Sequence, residues 1–376
     1  MSTPAHTDIT QRNRLDAIAQ ARRALLVGER CDAPLVAPWV ERSWQRCLQQ
    51  GLQPQACAEF DVISSATARH TAEGNARLVQ TARPLLEKLG RAIVNTGYFA
   101  ILTNQHGVVV DVNGPIDRSD RRADLITRIG TDLSEQRVGT TAIGTALSEQ
   151  QPVWLHRGEH FFSNTSVYSC AGAPVFGANG SCIGMLDLTG IDAVERPELC
   201  HLVTQVAGKI SNAMVLAHTH SVMLRLNWPG NTLGNDADGI VCLDADGWIT
   251  GANAVARQMV SGLGAGQLKP VHAEEVFGLP LQMVFDAAKR SQAMLEIPLW
   301  TGLRLQASAV LAAHENLPPH YDAGLGQGTG RGLKDMETAM IRRAVEQAKG
   351  NVAKAAQTLG ISRATVYRKL GRQPKS

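Results

Sequence analysis

Residues 351–370 read NVAKAAQTLGISRATVYRKL, and that order of residue types leaves few folds open. Just before it, Leu333, Met336, Met340, Ile341, Ala344 and Ala348 recur at helical spacing, and Gly350 ends the helix. Asn351 is a good N-cap for a short second helix, Val352 to Leu359, in which Ala355 and Ala356 permit close approach of a neighbour. Gly360 supplies a tight turn, where a positive φ costs least. Ser362 then caps a third helix with Val366 and Leu370 facing inward. This is a helix-turn-helix layout, in which the second helix of the pair lies in the major groove of DNA. Arg363, Thr365 and Arg368 are placed for base edges, with Ser362 and Lys369 beside them on the same helix. Arg342, Arg343, Lys354 and Arg372 are placed for phosphates. Charge agrees with this reading: residues 331–376 carry five lysines and six arginines against three acids, a net +8, whereas the remainder of the chain is at −5.

Upstream, residues 316–332 read NLPPHYDAGLGQGTGRG. Pro318-Pro319 and five glycines between 324 and 332 offer nothing to pack, so 314–332 is expected to be a flexible linker spanning on the order of 20–25 Å. Before it, Leu303, Leu305, Ala307, Ala309 and Leu311 alternate with polar or small residues, the pattern of a half-buried strand. Thr301-Gly302 turns that strand back on residues 296–300. Gly239 to Leu243 and Trp248 to Gly251 are short strands joined by Asp244-Ala-Asp-Gly247, and Asn253 caps a following helix. This succession resembles the opening of a PAS domain, here residues 226–313, and no Cys or His cluster in it singles out a cofactor.

Residues 76–225 begin with a helix whose apolar positions are Leu78, Ala82, Leu85, Leu86, Leu89 and Ile93. Strands at 98–103 and 108–112 flank the hairpin turn Asn104-Gln-His-Gly107, and strands at 169–176 and 181–189 flank Gly177-Ala-Asn-Gly180. Antiparallel strands with helices at both ends make an α+β sandwich. Its last helix carries Leu199, Val203, Val206, Ile210, Ala213, Ala217 and Leu224, a stripe read as a core face that either stops there or continues as a dimer stalk. Trp154, Phe161, Tyr168, Cys170 and Asp187 are candidates to line a small effector pocket beside the sheet. His156 and His160 sit four apart without an HEXXH pattern, and loop hydrogen bonding is the better reading than metal binding. Cys170 and Cys182 fall on the two strands of one hairpin; small buried thiols are the better reading than a redox switch.

Other classes are excluded by what the chain lacks. No apolar run approaches the ~20 residues of a membrane span, and residues 1–20 lack the apolar stretch of a signal peptide. Seven scattered cysteines with no CxxC pair argue against a disulfide framework and a zinc site, and for a cytoplasmic protein. No nucleophile–base arrangement is visible, so neither catalytic residues nor a cofactor is expected.

Three runs carry a family resemblance. The C-terminal run is similar to the Fis-type helix-turn-helix that ends many bacterial enhancer-binding regulators. Residues 130–162, GTDLSEQRVGTTAIGTALSEQQPVWLHRGEHFF, resemble the GAF domain of the acetoin-catabolism regulator family, whose members carry a similar GTxAIGTAL…HRxEHFF run. Residues 38–54, PWVERSWQRCLQQGLQP, are similar to that family's lead-in helices. The resemblance covers nearly the whole chain. It implies lead-in helices over 1–75, a GAF-like sensor over 76–225, a PAS-like domain over 226–313, the linker over 314–332 and a Fis-type domain over 333–376. The expected fold class is therefore α+β and multidomain: a GAF-type α/β/α sandwich, a PAS-like domain and an all-α helix-turn-helix. The resemblance further implies a homodimer on an inverted-repeat operator in double-stranded DNA. The effector it implies is a small molecule such as an alcohol, aldehyde, diol or ketone. One departure stands out: most members carry an ATPase between sensor and DNA-binding regions, and no GxxxxGK[ST] loop occurs in this chain. ATP-driven activation of sigma-54 polymerase is therefore expected to be absent. The alternative is a sensor and interaction protein that acts through mixed dimers with a full-length relative.

Overall fold

The computed structural model describes residues 4–27, 35–60, 62–264, 266–290 and 294–312, together with Val345, Val352, Ala356 and Val366. Contacts divide the chain into two units, residues 1–313 and 314–376.

The first unit opens with α1 (Pro4–Val27), α2 (Pro38–Gln49), α3 (Ser65–Gly74) and α4 (Ala76–Ala92). There follow β1 (Tyr98–Asn104), β2 (Val109–Asn113), α5 (Arg121–Ile126), α6 (Glu135–Val138) and α7 (Ala142–Glu149). The domain is completed by β3 (Val153–His156), β4 (Tyr168–Phe176), β5 (Cys182–Ile191) and α8 (Leu199–Leu216). Its five strands form an antiparallel sheet in the order β2-β1-β5-β4-β3. The β1–β2 turn forms as its residues dictate: Asn104 Oδ1 accepts the N–H groups of His106 and Val108, and Gly107 takes φ +80°.

Both faces of this sheet are covered. Phe99, Ile101, Leu155, Tyr168 and Met185 pack beneath residues of α1, α2 and α5–α7. Tyr98, Ala100, Leu102, Trp154, Leu186 and Leu188 pack against α4 and α8. Burial on both faces explains why the β1 sequence is a continuous apolar run rather than an alternating one. The layering is the α/β/α sandwich expected.

The second domain of this unit comprises β6 (Val222–Asn227), β7 (Gly239–Leu243), β8 (Ile249–Ala252), α9 (Ala254–Met259), α10 (Ala273–Val276), α11 (Leu281–Lys289), β9 (Met294–Pro298) and β10 (Arg304–Leu311). Its sheet order is β8-β7-β6-β10-β9, all antiparallel. Val222, Leu224, Leu226, Leu305, Ala307 and Ala309 alternate inward against residues of α9–α11. Asn253 caps α9 by accepting the Ala256 N–H, and also accepts the Ile240 N–H.

Two expectations are corrected here. α8 ends at Leu216, and its buried face is Leu199, Val203, Ala207, Ile210 and Met214. Leu224, expected on the same stripe, lies on β6, so the helix is a core face and no stalk continues it. β6 also straddles the expected boundary at 225/226, because it pairs with β7 and β10 and belongs wholly to the second sheet. The two domains meet where Ala178 and Val215 of the first pack on Ile240 and Cys242 of the second. The β4–β5 turn docks there too: the Ala178 carbonyl accepts the Ala252 N–H and the Asn179 carbonyl accepts the Leu268 N–H.

In the second unit, Val345, Val352, Ala356 and Val366 are helical, and Ala356 and Val366 are buried against the other two.

Candidate ligand cavity

A cavity with about 370 Å³ of empty volume lies between the α5–α7 face of the first sheet and the helices above it. The sheet contributes Ile101, Tyr168, Cys170, Asp187 and Thr189; Ile126, Leu133, Val138, Ala142 and Ile143 form the roof. His160, Thr165 and Phe60 close the sides, and no lysine or arginine lines it.

Register decides which expected residues meet. Cys170 pairs with Thr189, and Gly172 with Asp187, so these side chains share one face of neighbouring strands. Trp154 does not join them. It pairs with Ala171 and points into the α4/α8 layer, because successive residues of β3 face opposite ways. Phe161 is buried nearby, but it lines a separate crevice with Arg22, Leu25, Trp44, Leu48 and Pro54. Of the five expected residues the cavity thus gathers Tyr168, Cys170 and Asp187. Cys182 pairs with Phe176, six residues along β4 from Cys170, which at ~3.3 Å per residue holds the two sulfurs apart.

Asp187 sits fully buried on the middle strand, and burial pushes its carboxyl up to about 7. Its Oδ2 accepts the Thr189 hydroxyl, whose oxygen lies 3.4 Å from Cys170 Sγ. Oδ1 has no partner. His160, also fully buried, has its ring pKa lowered to about 4 by loss of solvent. Its Nδ1 is 3.0 Å from the Arg157 carbonyl, which can only accept, so Nδ1 carries the proton. Nε2 is thereby left as an acceptor, and it too has no partner. Two unpartnered polar atoms in an otherwise apolar wall are what a small ligand would satisfy. Periodicity carries no signal for His160; the HRxEHFF run was the one available pointer.

His160 is placed by the lead-in helices. Arg22 of α1 donates to the carbonyls of Gly158, His160 and Phe161 at 2.8, 2.6 and 2.7 Å. Trp44 Nε1 of α2 donates to the Glu159 carbonyl at 2.8 Å, and the Arg22 guanidinium lies over the Trp44 ring. Glu159, held by Arg14, accepts the His156 N–H. His156 itself faces the other layer with its Nδ1 on Ser169 Oγ at 2.7 Å, so the two histidines do not converge. Among the described residues no group of three or more His, Cys, Asp or Glu is arranged to hold a metal.

A polar network fixes the roof. Ser43 donates to Glu135 Oε2 at 2.6 Å, and Arg46 bridges Glu135 and Glu149 at 2.6 and 2.7 Å. Gly139 and Gly144 are required beside it. Gly139 takes φ +66° with a Cβ site 2.8 Å from Phe161, and at Gly144 a Cβ would stand 2.8 Å from the Glu135 backbone nitrogen.

All nine residues expected at DNA, Arg342, Arg343, Lys354, Ser362, Arg363, Thr365, Arg368, Lys369 and Arg372, lie outside the described residues. Among the described residues no helix is long and apolar enough to cross a membrane.

Comparison with known proteins gives two family matches. Residues 15–212 match the MimR N-terminal domain, and residues 332–372 match the bacterial regulatory proteins of the Fis family. The acetoin catabolism regulatory protein of Cupriavidus necator is 29% identical over 293 residues, covering 74% of this chain and 42% of the relative. The propane 2-monooxygenase operon transcriptional activator MimR of Mycolicibacterium goodii is 27% identical over 172 residues, 45% of this chain and 28% of the relative. This chain thus spans less than half the length of these relatives. Among solved structures, the Escherichia coli DhaR(N)–DhaL complex aligns over 72% of this chain and 98% of its own, with a TM-score of 0.45 and 15% identity.

Proposed function

The chain belongs to the family defined by the MimR N-terminal domain, and from that premise we propose that it is a DNA-binding transcription regulator whose first domain senses a small effector. The observation that carries the sensing role is the cavity with His160 Nε2 and Asp187 Oδ1 unpartnered in an apolar wall. The effector is a small uncharged molecule of the alcohol, aldehyde, diol or ketone kind. A hydroxyl satisfies the acceptor Nε2, whereas a carboxylate would meet Asp187 with no cation to offset it.

The DNA-binding role rests on the Fis-family match together with the +8 charge of residues 331–376. Two copies bind an inverted repeat, and effector binding shifts the poses of the two DNA-binding domains, which requires different effector affinities for the two poses. With no GxxxxGK[ST] loop between sensor and DNA-binding regions, regulation proceeds without ATP hydrolysis by this chain.

The test is fluorescence anisotropy on DNA from the gene's own upstream region and on random DNA of equal length, at several salt concentrations. Specific binding with a salt slope supports the role; equal affinity for both DNAs refutes it. Asp187→Leu should abolish the response to a panel of short alcohols, diols and ketones while leaving DNA affinity unchanged. Weak DNA binding alone, with co-purification of a longer ATPase-bearing relative, would instead favour action through mixed dimers.

A further inference from the structure

The cavity wall is buried except at two places, Phe60 and Thr141, which are half-buried. Thr141 is fixed at the start of α7, where its hydroxyl accepts the Gly144 N–H at 3.2 Å. Phe60 belongs to no helix or strand. It ends residues 51–60, a stretch that leaves α2 and reaches the cavity with most of its side chains in solvent and Ala58 alone buried. Ala58, Leu52 and Phe60 pack on the first core, but among the described residues the long-range hydrogen bonds of the stretch go to one side chain: the Ala58 N–H donates to Asn164 Oδ1 at 3.0 Å, and Asn164 Nδ2 donates to the Ala58 carbonyl at 3.1 Å. The backbone bonds from Leu52 to Cys47 and from Ala56 to Gln53 are local. A segment with few buried contacts and few tertiary hydrogen bonds opens more readily than the core it covers.

We propose that residues 51–60 are a strap over the mouth of the cavity, with Phe60 as its plug and the Asn164–Ala58 pair as its clip, and that small molecules enter and leave by its opening. The proposal rests on the cavity being the effector site, but its test needs no effector, so either can fail alone.

Cys170 provides the readout. Its thiol lines the cavity, and burial raises its pKa well above that of a free thiol, so it reacts with methyl methanethiosulfonate only when the wall opens. Cys242, buried where the two domains meet, reports unfolding or parting of the domains. Exposed Cys57 lies on the strap and is removed as Cys57→Ser in all samples. Labelling rates are followed for each cysteine by peptide mass spectrometry on the full chain. Asn164→Ala, which deletes both clip bonds, should raise the Cys170 rate about tenfold, and Phe60→Ala by a similar factor, with Cys242 unchanged. An unchanged Cys170 rate in both variants overturns the strap. So does a parallel rise at Cys170 and Cys242, which would mean entry by unfolding or parting of the domains. A rise in Phe60→Ala alone overturns the role of the clip.

Discussion

Replacing Asp187 with asparagine should stabilise the protein, and by an amount that grows with pH. Asp187 is fully buried, and its carboxyl is pushed up to about 7 by loss of solvent. In the unfolded chain the same group ionises near ~3.9. Below that value both states hold the proton and the group has no effect on stability. Between about pH 4 and 7 the unfolded chain releases its proton while the folded one keeps it, so stability falls as pH rises. Above about 7 both states are ionised, and the loss is complete. Over that interval, at ~1.36 kcal/mol for each tenfold change in proton affinity, the loss comes to roughly 4 kcal/mol. An asparagine at this position would accept the Thr189 hydroxyl as the carboxylate does and carries no charge to desolvate. At ~2–4 °C per kcal/mol for a domain of this size, the melting temperature of Asp187→Asn should exceed that of the wild type by roughly 10 °C at pH 8 and hardly at all at pH 4. Differential scanning fluorimetry across this range at fixed ionic strength measures the difference between the two proteins, so groups common to both cancel. A gap that does not vary with pH would refute the reasoning. A gap of opposite sign would show that the carboxylate is stabilised in the fold by a cation not seen beside it.

Three further expectations follow from other parts of the molecule. Arg46→Ala should cost about 2–3 kcal/mol in urea unfolding, because it leaves the buried Glu135 charge with Ser43 alone. Arg46→Met with Glu135→Leu should recover most of that loss, and a double variant as unstable as the single would rule out the charge as cause. Asn253→Ala removes bonds to Ala256, Ile240, Asp238 and Asn212, so amide exchange should quicken by about tenfold or more around 238–260 with the first sheet unaffected. Uniform protection across both domains would contradict it. Arg363→Ala should relax sequence preference by ~1–3 kcal/mol at one base position, whereas Arg342→Ala should weaken all DNA alike and lower the salt slope by about 1. Competition anisotropy with single-base operator variants separates the two.

Much of the fold was legible because its signals are local. The cap at Asn253, the turn at Asn104–Gly107, and the alternation along β10 each depend on residues a few positions apart. The α8–β6 junction was misread because Leu224 satisfies two periods at once. It continues the spacing of the helix, and it also alternates with Val222 and Leu226 as a strand does. The pocket residues divide the same way. Tyr168, Cys170 and Asp187 share a face through strand parity, but the orientation of β3, and with it that of Trp154, is set by its pairing with β4. Phe60 lies in an irregular stretch with no period to read. His160 faces the cavity because Arg22, some 140 residues earlier, holds the carbonyls around it.

The two sheets of the first unit are alike in plan but not in the path of the chain. In the first, β5 occupies the middle and is the last strand made. In the second, the middle position is held by β6, the first strand made, with the hairpin β7–β8 on one side and β9–β10 on the other. β6 follows α8 by five residues, 217–221, and α8 is a wall of the first domain's core. The central strand of one domain is therefore tethered to a core helix of the other, and the β4–β5 turn makes a second attachment at Ala252 and Leu268. β4 and β5 also carry Tyr168, Cys170, Asp187 and Thr189 into the cavity. A ligand that shifts these strands thus acts on one end of a hairpin whose other end is hydrogen-bonded to the second domain. The chain leaves that domain from β10, the strand paired with β6, so a shift of the turn reaches β10 through paired strands. Two attachments resist relative rotation in a way that one does not. A variant that breaks the turn contact alone should therefore loosen the second domain without unfolding either sheet.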